Sequence, residues 1–377
     1  MDIAFIYIGL AQSLFSAFII YFKKPRNVAN RILGFWLLAI SGMFALNIVK
    51  IHFEATQDFW PISLTLSTSF PIFLYIYTKY VVSDYTKFQA LDYLHFVPLL
   101  VGCFVLIYFV PSLTVGIEEF KEELHNINPP DEVGYVFRLY IWVYCILALI
   151  FIINYRKRIK NYFSFKSYKN SLNWLVFIII AFLVIYNYII YISTKYYLGA
   201  YMPNIETFRS GALLLFVYIL SFWGFKQNQL ATNIRTPKLN IFRKDDELES
   251  DRYQKSGLTK KKAENYANTL INHMNNSDSW KNNELTVAIL SEETNIPKHH
   301  VTQVLNENIK KNFYTFVNEY RVEQAMQMIK SPEYDTLSFV GIAFESGFNS
   351  KTAFNIFFKK YTGMTPSEFK RSKRKSA

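Results

Sequence analysis

The chain has 377 residues, 51% hydrophobic and 19% charged, with a formal net charge of +12. The charge is unevenly spread: residues 1–225 hold 17 Lys+Arg and 12 Asp+Glu, whereas residues 226–377 hold 24 and 17. This asymmetry excludes a single soluble domain and excludes wholesale disorder. Cys103 and Cys145 both lie inside apolar runs, which excludes a disulfide framework and a cysteine-based metal site.

From the N-terminus, seven apolar stretches approach the ~20 residues needed to span a ~30 Å hydrocarbon core. They cover 3–22, 32–49, 59–82, 91–110, 135–154, 172–192 and 211–225. The first reads as a retained helix, because Lys23, Lys24 and Arg26 follow the run instead of preceding it as in a signal peptide. Basic residues set the orientation. The odd-numbered connections hold Lys23, Lys24, Arg26 and Arg31, then Lys87, then Arg156, Lys157, Arg158, Lys160, Lys166 and Lys169. The even-numbered ones are poorer, and the acidic stretch 118–132 among them reads as a solvated loop. Positive residues collect on the cytoplasmic side. The N-terminus is therefore expected outside and everything after residue 225 in the cytoplasm.

Polar residues inside the apolar part have bland expectations. Ser63, Thr65, Ser67, Thr68 and Ser69 precede Pro71 and are expected to mend backbone hydrogen bonds or pack between helices. Asn187 is expected to hydrogen-bond between helices. Lys79, Arg138 and Arg209 fall near helix ends, where long side chains reach for water. Arg138 and Arg209 share the outer side and are the candidates for holding an anionic ligand. The sequence displays no deep charged pair and no duplicated half, as a transporter would require.

Residues 226–262 read as a polar linker. Ala263, Tyr266, Leu270 and Met274 then recur at helical spacing. Two short apolar stripes follow, Val287, Leu290, Ile296 and Val301, Val304, Leu305, joined by a tight turn over 294–297. Asn295 suits a left-handed turn position, and Pro297 the first turn of the next helix, where its missing N–H costs nothing. An amphipathic helix over 313–330 leads into a second copy of the arrangement. There Ala343 allows close crossing, Gly347 turns the chain, Ser350 caps a helix, and Phe354, Phe357 and Phe358 face a core.

From about Tyr253 onward the tail resembles the DNA-binding domain of the AraC/XylS family of bacterial transcription regulators. The likeness is densest at GIAFESGFNSKTAFNIFFKKYTGMTPSEFK, with FYTFVNEYRVEQA at 313–325 as the linker helix. Three residues depart from the family pattern: Ser291 and Asn295 stand where Ala and Gly are usual, and Pro297 where a capping Ser is usual. The resemblance implies two helix-turn-helix units in the tail (263–377). Many regulators of the family carry a soluble sensor, whereas here the apolar stretches supply a seven-helix transmembrane bundle (1–225). The expected fold is therefore all-α, the bundle followed by a cytoplasmic AraC-type DNA-binding domain.

In such a pair the second helix of each unit enters the major groove, the two lying about 34 Å apart along the DNA. Residues near the N-terminus of each reach base edges. The candidates are Lys298, His299, Thr302, Gln303 and Asn306 in the first unit, and Lys351, Thr352, Asn355 and Ile356 in the second. Lys310, Lys311, Lys359 and Lys360 are the candidates for phosphate contact. The run Lys370, Arg371, Lys373, Arg374, Lys375 is expected to be a solvated tail.

These readings converge on a membrane-bound, one-component transcription regulator of the bacterial inner membrane. Its expected partners are double-stranded promoter DNA, the lipid bilayer, an unknown signal ligand, RNA polymerase and a second copy of the chain. No cofactor or metal is expected: His299 and His300 are adjacent and cannot share a helix face. No nucleophile motif or metal-spaced cluster points to an enzyme. The rival readings are a transporter or channel with a regulatory tail, and a DNA-binding tail on a bundle that serves only as a tether.

Overall fold

A computed structural model of the chain describes residues 2–24, 26–52, 60–83, 85, 87–109, 131–165, 171–197, 201, 205–231 and 258–374. The chain divides into two compact units. The first is Met1–Ile153 with Leu172–Ile241, and the second is Asn154–Ser171 with Phe242–Ala377. One consequence departs from the sequence reading: residues 155–165, read as part of the connection between the fifth and sixth spans, fold with the tail.

The first unit is built from long apolar helices: α1 (Asp2–Phe22), α2 (Val28–His52), α3 (Trp60–Val82), α4 (Val97–Phe109), α5 (Asp131–Ile159), α6 (Asn173–Tyr197) and α7 (Ile205–Ala231). Within them, Ala4–Phe22, Val28–Val49, Val136–Ile159, Asn173–Lys195 and Ile205–Lys226 are long and apolar enough to cross a membrane. Helix α1 packs on α2 and α7, α2 on α3 and α7, and α6 on α7. Trp36, Phe182 and Phe216 fill the centre in tilted and edge-on ring contacts, each side chain fully buried. The outer faces are also apolar, with Phe18, Leu139, Val184 and Leu215 exposed. Helices that are apolar all round belong in lipid or in a large core. The expected seventh span, 211–225, is the middle of a longer helix that begins at Ile205.

Two expected spans take a different form. The third is helical throughout Trp60–Val82, with Pro71 inside it. Pro71 has no N–H to give. Thr68 and Ser69 hydroxyls return to the carbonyls of Thr65 and Leu66, 2.6 Å each, and the Tyr140 hydroxyl of α5 donates to the Thr68 carbonyl at 2.8 Å. The fourth begins as a 3-10 turn, Ala90–Phe96, before becoming α4. Within that turn Asp92 is 1% exposed. Its carboxylate accepts from Lys79 Nζ at 2.5 Å and from the Tyr80 hydroxyl at 2.8 Å. Lys79, expected to reach for water, is therefore tied to a buried carboxylate, and a buried charged pair exists where the sequence displayed none. Asn187 turns back on its own helix, donating to the Leu183 carbonyl at 2.8 Å, instead of bridging to a neighbour. The acidic stretch 118–132 falls almost entirely outside the described residues.

The second unit is held by two hydrophobic clusters. Its helices are α8 (Lys260–Asn276), α9 (Val287–Thr294), α10 (Lys298–Glu307), α11 (Phe313–Lys330), α12 (Phe339–Glu345), α13 (Lys351–Thr362) and α14 (Pro366–Arg374). Leu270, Met274, Leu290, Val301, Val304 and Phe316 belong to the first cluster. Val322, Ala325, Ile342, Phe348, Phe354 and Phe358 belong to the second. Helix α11 contributes its first half to one cluster and its second half to the other, so it serves both as strut and as shared core. Most of the expected linker 226–262 lies outside the described residues.

Candidate nucleic-acid interface

Two helix pairs carry the candidate residues, α9 with α10 and α12 with α13. Thr286 caps α9 by accepting from the Ile289 N–H at 3.3 Å. Asn295 ends that helix in the left-handed region (φ 53), where an asparagine is tolerated. The Ser291 hydroxyl donates to the Ile296 carbonyl at 2.6 Å, so this departure from the family pattern helps to hold the turn. Pro297 stands one residue before the helix as its cap, without a side-chain hydrogen bond; the expected first-turn position is Lys298.

In the second pair, Gly347 turns the chain at φ 83, and a Cβ there would lie 2.5 Å from the Trp280 carbonyl oxygen. Only glycine meets both demands. Ser350 caps α13 by accepting from the Ala353 N–H at 3.2 Å. The Gly363 C-cap closes the helix in the left-handed region (φ 77).

The two second helices present different faces. On α13, Lys351, Thr352 and Ile356 are exposed and Asn355 is half-buried, while Phe354, Phe357 and Phe358 are in the core. All four candidates therefore share the outer surface. On α10, Lys298 and His299 are exposed and Asn306 is half-buried, but Thr302 and Gln303 are buried. The reason is packing on several sides: α8, α9 and α11 all contact α10, and the five residues Val301–Leu305 are covered. The Thr302 hydroxyl donates to the Lys298 carbonyl at 3.0 Å, and Gln303 Nε2 to Glu307 Oε2 at 2.9 Å. The expectation that both face solvent is corrected on this point.

Among the phosphate candidates, Lys359 and Lys360 are exposed at the end of α13, and Lys310 is exposed at φ 59. Lys311 is different: its ammonium meets Glu319 Oε2 at 2.5 Å, so its charge is already balanced. Lys370 of the basic terminal run is likewise not solvated tail; it lies in α14 and pairs with Asp335 at 2.7 Å. His299 and His300 rings lie 4.0 Å apart, and His300 also meets Tyr266. Burial, then the neighbouring His299 and Lys262, hold the His300 pKa below the usual imidazole value.

The ligand candidates of the first unit converge on one place. Arg138 Nη2 donates to Thr194 Oγ1 at 3.1 Å, and Arg209 Nε donates to Ser193 Oγ at 3.0 Å. Both guanidinium groups thus reach adjacent residues of α6, and Arg209 is also paired with Glu206 at 3.0 Å.

Sequence reasoning missed Arg321. It is 1% exposed, and its five N–H groups meet five neutral oxygens. Nε donates to the Trp280 carbonyl at 2.8 Å, Nη1 to the Ser164 carbonyl and Asn318 Oδ1, and Nη2 to Ser164 Oγ and the Asn282 carbonyl. Burial lowers its pKa to about 10, which leaves it charged at neutral pH. The signal was present in the spacing: Val317, Arg321 and Ala325 form a buried stripe at intervals of four, and a charge in such a stripe requires partners.

A helix-turn-helix domain family model matches residues 290–372, which span α9 to α14 and so contain both helix pairs. The tail therefore carries a helix-turn-helix domain of the kind found in DNA-binding transcription regulators. No curated protein and no solved structure matches the chain.

Proposed function

We propose that this chain is a membrane-embedded, one-component transcription regulator of the AraC type. Seven apolar segments cross the cytoplasmic membrane with the N-terminus outside, and two helix-turn-helix units in the cytoplasm read promoter DNA. The observation that carries this reading is the helix-turn-helix match over 290–372 on the same polypeptide as five membrane-length helices. The parity of the bundle supports the orientation. Lys23, just after α1, donates from Nζ to the Gly224 carbonyl of α7 at 2.9 Å, so those two helices end on the same side. Five crossings or seven then leave the two termini on opposite sides, and the basic connections assign the tail to the cytoplasm.

In this reading Lys351, Thr352, Asn355 and Ile356 on α13, with Lys298, His299 and Asn306 on α10, face base edges. Thr302 and Gln303 would contribute only if the Gln303–Glu307 pairing opens. Lys310, Lys359 and Lys360 neutralise phosphates. RNA polymerase, a second copy and a signal ligand at Arg138 and Arg209 remain the partners the reading calls for.

The test uses the full chain in lipid nanodiscs and a random duplex pool from which bound sequences are selected and enriched. Asn355→Ala is expected to relax the preference at one position, worth about 1–3 kcal/mol for a good bidentate contact. Lys359→Ala is expected to weaken all duplexes alike and to lower the salt slope by about 1. Failure to enrich any duplex at low salt would remove the reading.

A further inference from the structure

The DNA-binding unit includes a stretch of chain that its own sequence region does not supply. Residues 160–165 follow the last turn of α5 and are inserted against α9 and α11. Phe163 forms an antiparallel bridge with Thr286. The Ser164 N–H donates to the Leu285 carbonyl at 3.3 Å, and the Val287 N–H to the Tyr162 carbonyl at 3.0 Å. The Tyr314 N–H donates to the Lys160 carbonyl at 2.9 Å. Val287 and Tyr314 stand in the first turns of α9 and α11, where N–H groups have no partner within the helix. Two carbonyls of the inserted stretch therefore cap two helices. Ser164 also fills two of the five donors of Arg321, and its carbonyl accepts from Asn318 Nδ2 at 2.8 Å. Phe163 and Ser164 are 3% and 1% exposed.

We propose that residues 160–165 are a strap whose docking at Arg321 holds the first helix pair in its DNA-binding arrangement, so that withdrawal of the strap weakens DNA binding. The sign follows from the contacts. Withdrawal strips the acceptors from the Val287 and Tyr314 N–H groups and leaves a buried guanidinium short of acceptors, so the pair loosens and must be ordered again on DNA. The strap is continuous with α5, an apolar helix, so the same stretch that docks on α9 is the stretch that movement of α5 would pull. The role in DNA binding rests on the proposed function; the docking does not.

The experiment uses the full chain in nanodiscs, with Cys103→Ser and Cys145→Ser, and with Phe163→Cys and Thr286→Cys introduced together. The bridge is of the non-hydrogen-bonded kind, with Cα atoms about 4.5 Å apart, which a disulfide can span. A protease site placed between residues 232 and 257 lets the cross-link be scored without DNA, as two halves that separate only on reduction. Mild oxidation is expected to join this pair and not the control pair Phe163→Cys with Asn283→Cys. Equal cross-linking of both, or of neither, overturns the docking. The strongest duplex selected by the wild-type chain then serves as probe. The oxidised double variant is expected to bind it at least as tightly as the same variant reduced. Ser164→Pro, which removes a strap donor, is expected to bind about tenfold more weakly while amide exchange rises at Val287 and Tyr314 and not over 353–362. Undiminished binding by Ser164→Pro, loss of binding on oxidation, or a general rise in exchange over 353–362 overturns the proposal. If no duplex binds even the wild type, the proposed function falls and the strap's role with it, while the cross-link still scores the docking.

Discussion

Arg321 stores more folding free energy than any exposed charge in the tail, because its guanidinium is out of water and compensated by oxygen dipoles alone. Hydrogen bonds to charged groups contribute about 1.5–3 kcal/mol each. Arg321→Ala strands the Trp280 carbonyl and takes one donor from the carbonyls of Asn282 and Ser164, which keep the Leu285 N–H and Asn318 Nδ2; it is expected to destabilise the second unit by about 3 kcal/mol. Arg321→Lys, with three donors for five acceptors, should recover part of this. Apparent melting of the second unit in the full chain measures both. His300 gives a pH signature. Its folded-state pKa is depressed, chiefly by burial, so folding favours the neutral ring. The stabilisation is complete above the unfolded value of about 6.5 and is lost as pH falls through the folded value. Melting of the second unit should therefore fall between about pH 7.5 and 5.5, modestly because the ring is partly solvated. His300→Gln should abolish the drop.

At the scale of elements, the turn between α12 and α13 tests how the two clusters depend on each other. Gly347 abuts the carbonyl of Trp280, a residue of the first cluster, while its neighbour Phe348 belongs to the second. Gly347→Ala meets both a left-handed backbone and a Cβ only 2.5 Å from the Trp280 carbonyl oxygen. A loss of about 2–4 kcal/mol is expected, read as a lowered melting temperature of the second unit with membrane extraction unchanged. Local features of this kind were legible in the sequence: the Gly347 turn, the Ser350 cap, the phenylalanine stripe of α13 and the left-handed Asn295 each follow from residues a few positions apart. The burial of Asp92 was not, because it depends on Asp92 meeting Lys79, thirteen residues earlier. Burial of Thr302 and Gln303 was also hidden, since periodicity marks one core stripe on α10 and cannot register that three helices, α8, α9 and α11, pack on it.

At the scale of the whole molecule, the contrast between an apolar first part and a charged tail was legible from composition, and the seven stretches all contain helix. The membership of residues 155–165 in the tail unit was not. Its contacts join residues more than a hundred positions apart, Ser164 with Leu285 and with Arg321, and nothing in a window of sequence announces such a pairing. Topology is testable on intact cells. In a Cys103→Ser, Cys145→Ser background, a cysteine at Asp2 should react with a membrane-impermeant maleimide before permeabilisation, and one at Asn276 only afterwards. Labelling of both in intact cells would contradict the orientation.

The outward-facing aromatic and aliphatic side chains of α1, α5, α6 and α7 carry a last consequence. On the proposed function that apolar coat lies in the membrane, and the protein then cannot travel to its operators by hopping or sliding along the chromosome. The gene must come to the regulator, so expression would be governed by how often a locus visits the cell periphery. Moving an operator to a pole-distant or a membrane-tethered chromosomal position should therefore change its output at constant protein abundance.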